Sequence, residues 1–167
     1  MDLGNIIREE FNRFLLEDIN FNDLILYHGT REEFKQFDLK FFNSGSSDGG
    51  WLGYGIYLTN DYEYAESYGD VLECSVRINN PYILDDNLYS TRPLKLMNEL
   101  GVGNTREITK KLINDGYDSV MLRYDNGEWY GDFIELCVFN PSNIKIIKRY
   151  EQGDESYEVN QKRGYKQ

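Results

Sequence analysis

The single histidine of this 167-residue chain, His28, follows an apolar run and precedes a glycine in ILYHGT, residues 25–30. An imidazole can bind a ligand or a metal, or it can be a core residue whose ring nitrogens are satisfied. Taken alone, this position favours the core residue. A zinc site built on histidines is nearly excluded, because there is no second histidine and Cys74 and Cys137 lie on different predicted strands. No metal is therefore expected.

The loop predicted over 43–55, NSGSSDGGWLGYG, contains a match to G-x-S-x-G at residues 45–49. A hydrolase serine needs a strand before it and a helix after it, and its histidine comes later in the chain. Here the flanks are predicted loop and the only histidine comes earlier, so we attribute the match to chance. The glycines of 49–55 also lack the G-x-G-x-x-G order of a Rossmann fold.

Two tyrosines eleven residues apart could form a second site. Tyr57 lies on the short strand predicted over 55–59, and Tyr68 ends the helix predicted over 61–68. A strand followed by a returning helix can bring the two rings face to face, and two aromatic faces can clamp a flat heteroaromatic ring. The alternative is a pair of half-buried core tyrosines in a chain with 14 tyrosines.

A lone carboxylate marks the third candidate. Glu135 is the only charged residue in FIELCVF, residues 133–139, which is typical of a central strand. An ionised carboxylate there is unfavourable unless it is paired or faces a cleft. The alternative is an edge position close to a lysine such as Lys145 or Lys148, and this feature alone does not decide between the two.

The elements that must position these residues follow from apolar periodicity. Helices interrupt runs of strands without strict alternation, which indicates an α+β fold with a mostly antiparallel sheet or a pair of sheets. Asn60 is expected to cap the helix over 61–68. Strands are predicted over 24–30, 55–59, 71–78, 119–124, 132–139 and 143–150, and helices over 5–19, 61–68, 91–100 and 105–115.

Length and composition limit the function. Residues 1–150 are predicted to form one domain, and the tail 151–167 has little to bury and is expected to be flexible. The net charge of −11 disfavours broad nucleic-acid binding. No apolar run is long enough to span a membrane. The two cysteines are expected to be buried free thiols, and the expected location is the cytoplasm of the producing cell or of an infected host cell.

Together, the order of YHGT, GIYLT with a second tyrosine eleven residues on, and the glutamate of IELCVFNPSNIKI resembles the H-Y-E group of ADP-ribosyltransferases. This group includes diphtheria toxin and the poly(ADP-ribose) polymerases. The resemblance spans residues 24–148. It implies the ADP-ribosyltransferase fold, with two small, mostly antiparallel sheets that form an NAD cleft and are flanked by short helices.

The resemblance also implies roles for individual residues. His28 would hydrogen-bond a ribose of NAD, Gly29 would offer its backbone to the nicotinamide carboxamide, and Thr30 would contact the adenosine side. Tyr57 and Tyr68 would sandwich the nicotinamide. Glu135 would bind the 2′-hydroxyl of the nicotinamide ribose and would be catalytic, together with His28 and Tyr57.

The sequence departs from the family pattern at two places. Ala65 stands where the polymerases carry a carboxamide-binding serine, although diphtheria toxin also has alanine there. Phe133 stands two residues before Glu135, so the E-x-E or Q-x-E pattern of the arginine- and asparagine-modifying toxins is absent.

The segment YDNGEWYGD, residues 124–132, lies where the family recognises its acceptor. Trp129 and Tyr130 would provide aromatic anchors, and carboxylates including Asp132 would attract a basic surface. We therefore expect a protein acceptor, with nucleic acid the less favoured class.

The implied function is an NAD-dependent mono-ADP-ribosyltransferase that needs no metal and acts as a monomer, without a membrane partner. It could be a toxin, a phage effector or a housekeeping enzyme. Three alternatives remain open: an NAD glycohydrolase, a non-catalytic relative that binds ADP-ribose or a partner, and an RNA 2′-phosphotransferase, against which the acidic composition counts.

Overall fold

The computed structural model describes residues 24–41, 50–85, 92–125 and 132–154. The predicted N-terminal helix over 5–19 lies outside these ranges, as does the predicted flexible tail beyond residue 154. The interior of the predicted acceptor loop, which includes Trp129 and Tyr130, also lies outside them.

Seven strands form one sheet in the described part of the chain. Every neighbouring pair is antiparallel except one, which pairs Pro81–Asp85 in parallel with Ser119–Asp125. The strands are β1 Leu24–Thr30, β2 Ile56–Thr59, β3 Asp70–Val76, β4 Pro81–Asp85, β5 Ser119–Asp125, β6 Asp132–Val138 and β7 Ile144–Tyr150. Their order across the sheet is β4-β5-β6-β2-β1-β3-β7.

The prediction of two separate sheets is wrong, because β1 and β2 join the two groups of strands. This junction is narrow: its register contains the single pair Tyr27 and Thr59. By contrast, β1 pairs with β3 from Leu24 to Thr30, along its whole length. The sheet therefore has a seam between β1 and β2, with β4, β5, β6 and β2 on one side and β1, β3 and β7 on the other.

The three helices are α1 Tyr62–Glu66, α2 Arg92–Leu100 and α3 Thr105–Asn114. The predicted cap of α1 is wrong by one residue, because the Asp61 carboxylate accepts from the Tyr64 N–H at 2.9 Å. The Asn60 side chain instead accepts from the Ile134 N–H at 2.7 Å, which ties the end of β2 to β6. Asn60 therefore stabilises the sheet, and Asp61 begins the helix.

The edge strand β4 is absent from the sequence-based prediction, because its Asn-Asn-Pro start is typical of a break. The Asp118 carboxylate accepts from the main-chain N–H groups of Asn79 at 2.6 Å and Asn80 at 3.3 Å, which holds the turn. Pro81 then opens the strand, a position where proline removes no ladder hydrogen bond. The other predicted strands match the structure to within two residues at each end.

Apolar side chains cover both faces of the sheet. One face carries a core cluster with residues from both sides of the seam, which includes Leu26, Leu58, Leu72 and Leu136. The other face carries two separate clusters. The first joins α2 and α3 to β4, β5 and β6, and includes Leu96, Ile108, Leu112, Val120 and Cys137. The second joins α1 to β1, β3 and β7, and includes Tyr27, Tyr62, Ala65, Val71 and Tyr150.

The second cluster depends on a glycine in β1. A Cβ atom added to Gly29 would lie 1.8 Å from the carbonyl oxygen of Ala65 and 2.9 Å from the Cβ of Tyr68. The end of α1 therefore packs directly on the main chain of β1, and any side chain at this position would push the helix away.

We predict that Gly29→Ala lowers the free energy of unfolding by about 3 kcal/mol, since the clash is with main-chain atoms of α1 and is relieved only if the helix moves. Urea unfolding followed by circular dichroism measures this. Gly103→Ala is the matched control, because its nearest neighbour is the flexible Glu107 carboxylate at 3.6 Å. Equal stabilities for Gly29→Ala and Gly103→Ala would contradict the packing of α1 on β1.

Candidate active site

His28 is held across the seam by a hydrogen bond from its Nδ1 to the main-chain carbonyl of Tyr57, at 2.7 Å. A carbonyl can only accept, so Nδ1 carries the proton and Nε2 of the neutral ring is the acceptor. The ring also packs edge-to-face on Phe37, with centroids 5.0 Å apart. Burial lowers the pKa of His28 from 6.5, and the hydrogen bond to Tyr57 offsets only part of this effect.

Tyr57 uses its hydroxyl to close the loop that precedes β2. The hydroxyl donates to the Gly53 carbonyl and accepts from the Leu52 N–H, both at 2.8 Å. Burial raises the pKa of Tyr57 well above its ordinary value, with a smaller contribution from Cys137. The side chain therefore stays neutral, and its ring and hydroxyl are both fixed in place.

Tyr68 follows the end of α1 and is 43% exposed. Its ring packs edge-to-face on Tyr64, with centroids 5.6 Å apart and the two hydroxyl oxygens separated by 3.2 Å. Its Cβ lies against Gly29, while the main chain of Tyr57 contacts His28. Tyr68 thus lies beside Gly29 at the end of α1, and the main chain of Tyr57 lies beside the His28 ring across the seam. Whether they sandwich a ligand stays a prediction.

Glu135 lies in β6 and is only 7% exposed. It is in register with Thr59 on β2 and Leu122 on β5, so it occupies the interior of the sheet. The alternative of an edge position near Lys145 or Lys148 is wrong, since both lysines lie on β7 at the far edge. The indole N–H of Trp51 donates to Oε1 of Glu135 at 3.2 Å.

The sheet register places Glu135 beside the seam. Glu135 pairs with Thr59, and Thr59 pairs with Tyr27 across the seam, so these three side chains share one face. This is the face that carries the two separate clusters. Glu135 and Thr59 lie between them, because Tyr27 belongs to one cluster and Cys137, two residues after Glu135, belongs to the other. The strands of His28, Tyr57 and Glu135 all lie at or next to the seam, but the His28 ring packs on Phe37 of the core on the opposite face.

The remaining predicted residues have local structural contacts. The Thr30 hydroxyl accepts from the Glu32 N–H at 3.1 Å and shapes the turn after β1. Asp132 opens β6 in register with Asp125. Cys74 and Cys137 are free and buried, as predicted. Burial raises the pKa of Cys74 to about 12, which makes it a poor nucleophile.

Sequence reasoning predicted a loop over 43–55 but assigned no role to Trp51. Thr109 on α3 holds this loop, because its hydroxyl accepts from the Tyr54 N–H at 2.7 Å and donates to the Tyr54 carbonyl at 3.1 Å. The Arg106 guanidinium lies 4.2 Å from the centre of the Tyr54 ring. The available sequence signal for this part of the site was the presence of Trp51 and Tyr54 in a glycine-rich loop.

Two general features bear on cofactors and membranes. Within residues 24–41, 50–85, 92–125 and 132–154, no group of three or more His, Cys, Asp or Glu side chains could hold a metal ion. In the same ranges, no helix is long and apolar enough to cross a membrane.

A family model described as "ADP-Ribosyltransferase in polyvalent proteins" matches residues 19–153. The chain belongs to this family. No curated protein matches the chain. An ADP-ribosyltransferase transfers ADP-ribose from NAD to an acceptor, so the family assignment supports a transferase with NAD as a substrate. The seam, with its buried carboxylate, lies within the matched residues.

We predict that His28 of this ADP-ribosyltransferase titrates below 6.5, the ordinary pKa value from which burial lowers it. Because the folded pKa is lowered, the stability that the neutral ring contributes is present above pH 6.5 and is lost as pH falls through the folded pKa. His28 is the only histidine, so its imidazole NMR resonance is unambiguous. The urea-unfolded chain is the control, and a native midpoint at or above the unfolded one would contradict the burial of the ring.

Proposed function

We propose that this protein is an NAD-dependent mono-ADP-ribosyltransferase of the H-Y-E type, which releases nicotinamide and modifies a macromolecule. The observation that carries the proposal is the buried Glu135 side chain on β6, next to the seam between the strands that bear His28 and Tyr57. A carboxylate is rarely kept inside a sheet unless it is used or paired.

The reaction breaks the bond between the nicotinamide nitrogen and C1′ of the ribose, and the bonding electrons leave with nicotinamide. The sugar becomes cation-like, as in glycoside hydrolysis. The acceptor then forms a bond to C1′ and loses its proton to solvent or to a nearby base. Nicotinamide leaves as a neutral molecule, so no general acid is needed at this step.

In this proposal each residue at the seam has a separate role. Nε2 of His28 accepts from a ribose hydroxyl, because Nδ1 is already committed to the Tyr57 carbonyl. Tyr57 and Tyr68 hold the nicotinamide ring between them. The Glu135 carboxylate stabilises the positive sugar, an effect of roughly 3–4 kcal/mol for a preorganised group in a site that excludes water.

We predict that Glu135→Gln leaves NAD affinity within about threefold of wild type and lowers the rate of nicotinamide release by about 10²–10³, because it keeps the shape and removes the charge. Calorimetry with NAD and a nicotinamide-release assay measure the two quantities. Glu73→Gln is the matched control: Glu73 is a sheet carboxylate on β3 that accepts from the Tyr150 hydroxyl at 2.8 Å. Wild-type turnover in Glu135→Gln would refute the role of Glu135.

For the acceptor we propose a protein side chain, on the basis of the −11 net charge and the aromatic and acidic residues of segment 124–132. We predict that protease, and not nuclease, removes label from a lysate treated with the protein and labelled NAD. Trp129→Ala should then reduce labelling and leave nicotinamide release in the absence of lysate nearly unchanged. Label that nuclease removes and protease leaves would show a nucleic-acid acceptor. Nicotinamide release without any stable label would identify an NAD glycohydrolase.

A further inference from the structure

The contact between Trp51 and Glu135 joins two parts of the chain that lie 84 residues apart. Trp51 comes from the loop before β2, and Glu135 comes from β6. The indole N–H donates to Oε1 of the carboxylate. Indole nitrogen has no acceptor capacity, so Trp51 is the donor and the Glu135 oxygen is the acceptor.

The carboxylate needs such a contact to keep one orientation. Glu135 lies between Thr59 and Leu122 in the sheet, and its face is shared with the apolar side chain of Leu122. A glutamate side chain has three rotatable bonds, and their freedom must be lost before the oxygens can meet a reacting sugar in a fixed position. A directional hydrogen bond from Trp51 removes part of that freedom in advance.

The indole is itself held by the residues that follow it. The Tyr57 hydroxyl bridges the Leu52 N–H and the Gly53 carbonyl. Gly53 adopts a φ of 133°, and a Cβ there would lie 2.8 Å from the Thr109 hydroxyl. The next residue, Tyr54, is bound at both main-chain groups by Thr109. Three consecutive residues after Trp51 are thus fixed by β2 and α3.

From these contacts we infer that Trp51 is a positioning residue for ADP-ribosyl transfer. It acts through its indole N–H on the Glu135 carboxylate, and the Tyr57 hydroxyl anchors the loop that carries it. Tyr57 therefore has a second task besides presenting its ring, and this task connects the two predicted catalytic residues through the loop. The inference rests on the proposed function, because it assigns Glu135 to the reacting sugar.

The test compares Trp51→Phe with wild type in a steady-state nicotinamide-release assay. Phenylalanine keeps an aromatic ring in the half-buried position and removes only the donor. We expect kcat to fall about tenfold and KM for NAD to change by less than about threefold, because the lost contact orients a group that acts in the transition state. Met97→Ala is the control: Met97 packs on the same apolar cluster as Trp51 and belongs to α2.

A double variant separates positioning from general loosening. If Trp51 acts through Glu135, adding Trp51→Phe to Glu135→Gln should lower kcat by less than about twofold beyond Glu135→Gln alone. A further tenfold loss in the double variant would overturn the inference, and so would wild-type kcat in Trp51→Phe. If wild-type protein releases no nicotinamide at all, both the proposed function and this inference fail.

Tyr57→Phe gives an independent route should Trp51→Phe fold poorly, as judged by its thermal unfolding midpoint. The variant keeps the aromatic face and removes the hydroxyl that holds Leu52 and Gly53. We expect kcat to fall about tenfold with little change in KM, because the loop can no longer hold the indole in place. Tyr150→Phe is the matched tyrosine control, since Tyr150 lies on β7, away from the seam, and its hydroxyl donates to the Glu73 carboxylate at 2.8 Å. Equal kcat values for Tyr57→Phe and wild type would overturn the anchoring role.

Discussion

The hydrogen bond from His28 to the Tyr57 carbonyl joins the two halves of the sheet where their own ladder provides one residue pair. It sets the position of the imidazole, the tautomer of the ring and the separation of β1 from β2. The other residues of the candidate site lie on elements that extend from this junction. Tyr57 continues into the loop that carries Trp51, and Glu135 lies one strand further from the seam.

In the proposed function, the dinucleotide would bind at the narrow seam between β1 and β2. A sheet that was fully paired between β1 and β2 would bury the main chain near His28 in ladder hydrogen bonds. With one residue pair, the strands can separate on either side of it, and side chains from both halves can meet a common ligand. Each half of the sheet has its own apolar cluster on the face that carries Glu135: α2 and α3 pack on one half, and α1 packs on the other.

Much of the fold could be predicted because most of its strands are visible in the sequence as apolar or alternating segments. The strand of His28 was predicted from an apolar run, and the strand of Glu135 from the apolar segment FIELCVF, in which the lone charge is a local signal. The strand β4 was not predicted, because Pro81 is typical of a break. The turn before it is held by the Asp118 carboxylate, a contact from a distant part of the sequence. The contact of Trp51 with Glu135 could not be found from periodicity, since it depends on tertiary structure across 84 residues. The single sheet, too, follows from one pair, Tyr27 and Thr59, that no local pattern encodes.

The order of strands has a consequence for the protein while it is being made. Strand β2 pairs with β6, which lies more than 70 residues later, and β3 pairs with β7 at Ile144–Tyr150. A nascent chain that has emerged only as far as residue 125 carries His28 and Tyr57 but has neither Glu135 nor the partner strand that supports β2. The centre of the sheet therefore cannot close until β6 has left the ribosome, and folding must wait for these distant pairings. The proposed chemistry at the seam therefore requires that β6 has been synthesised and paired with β2.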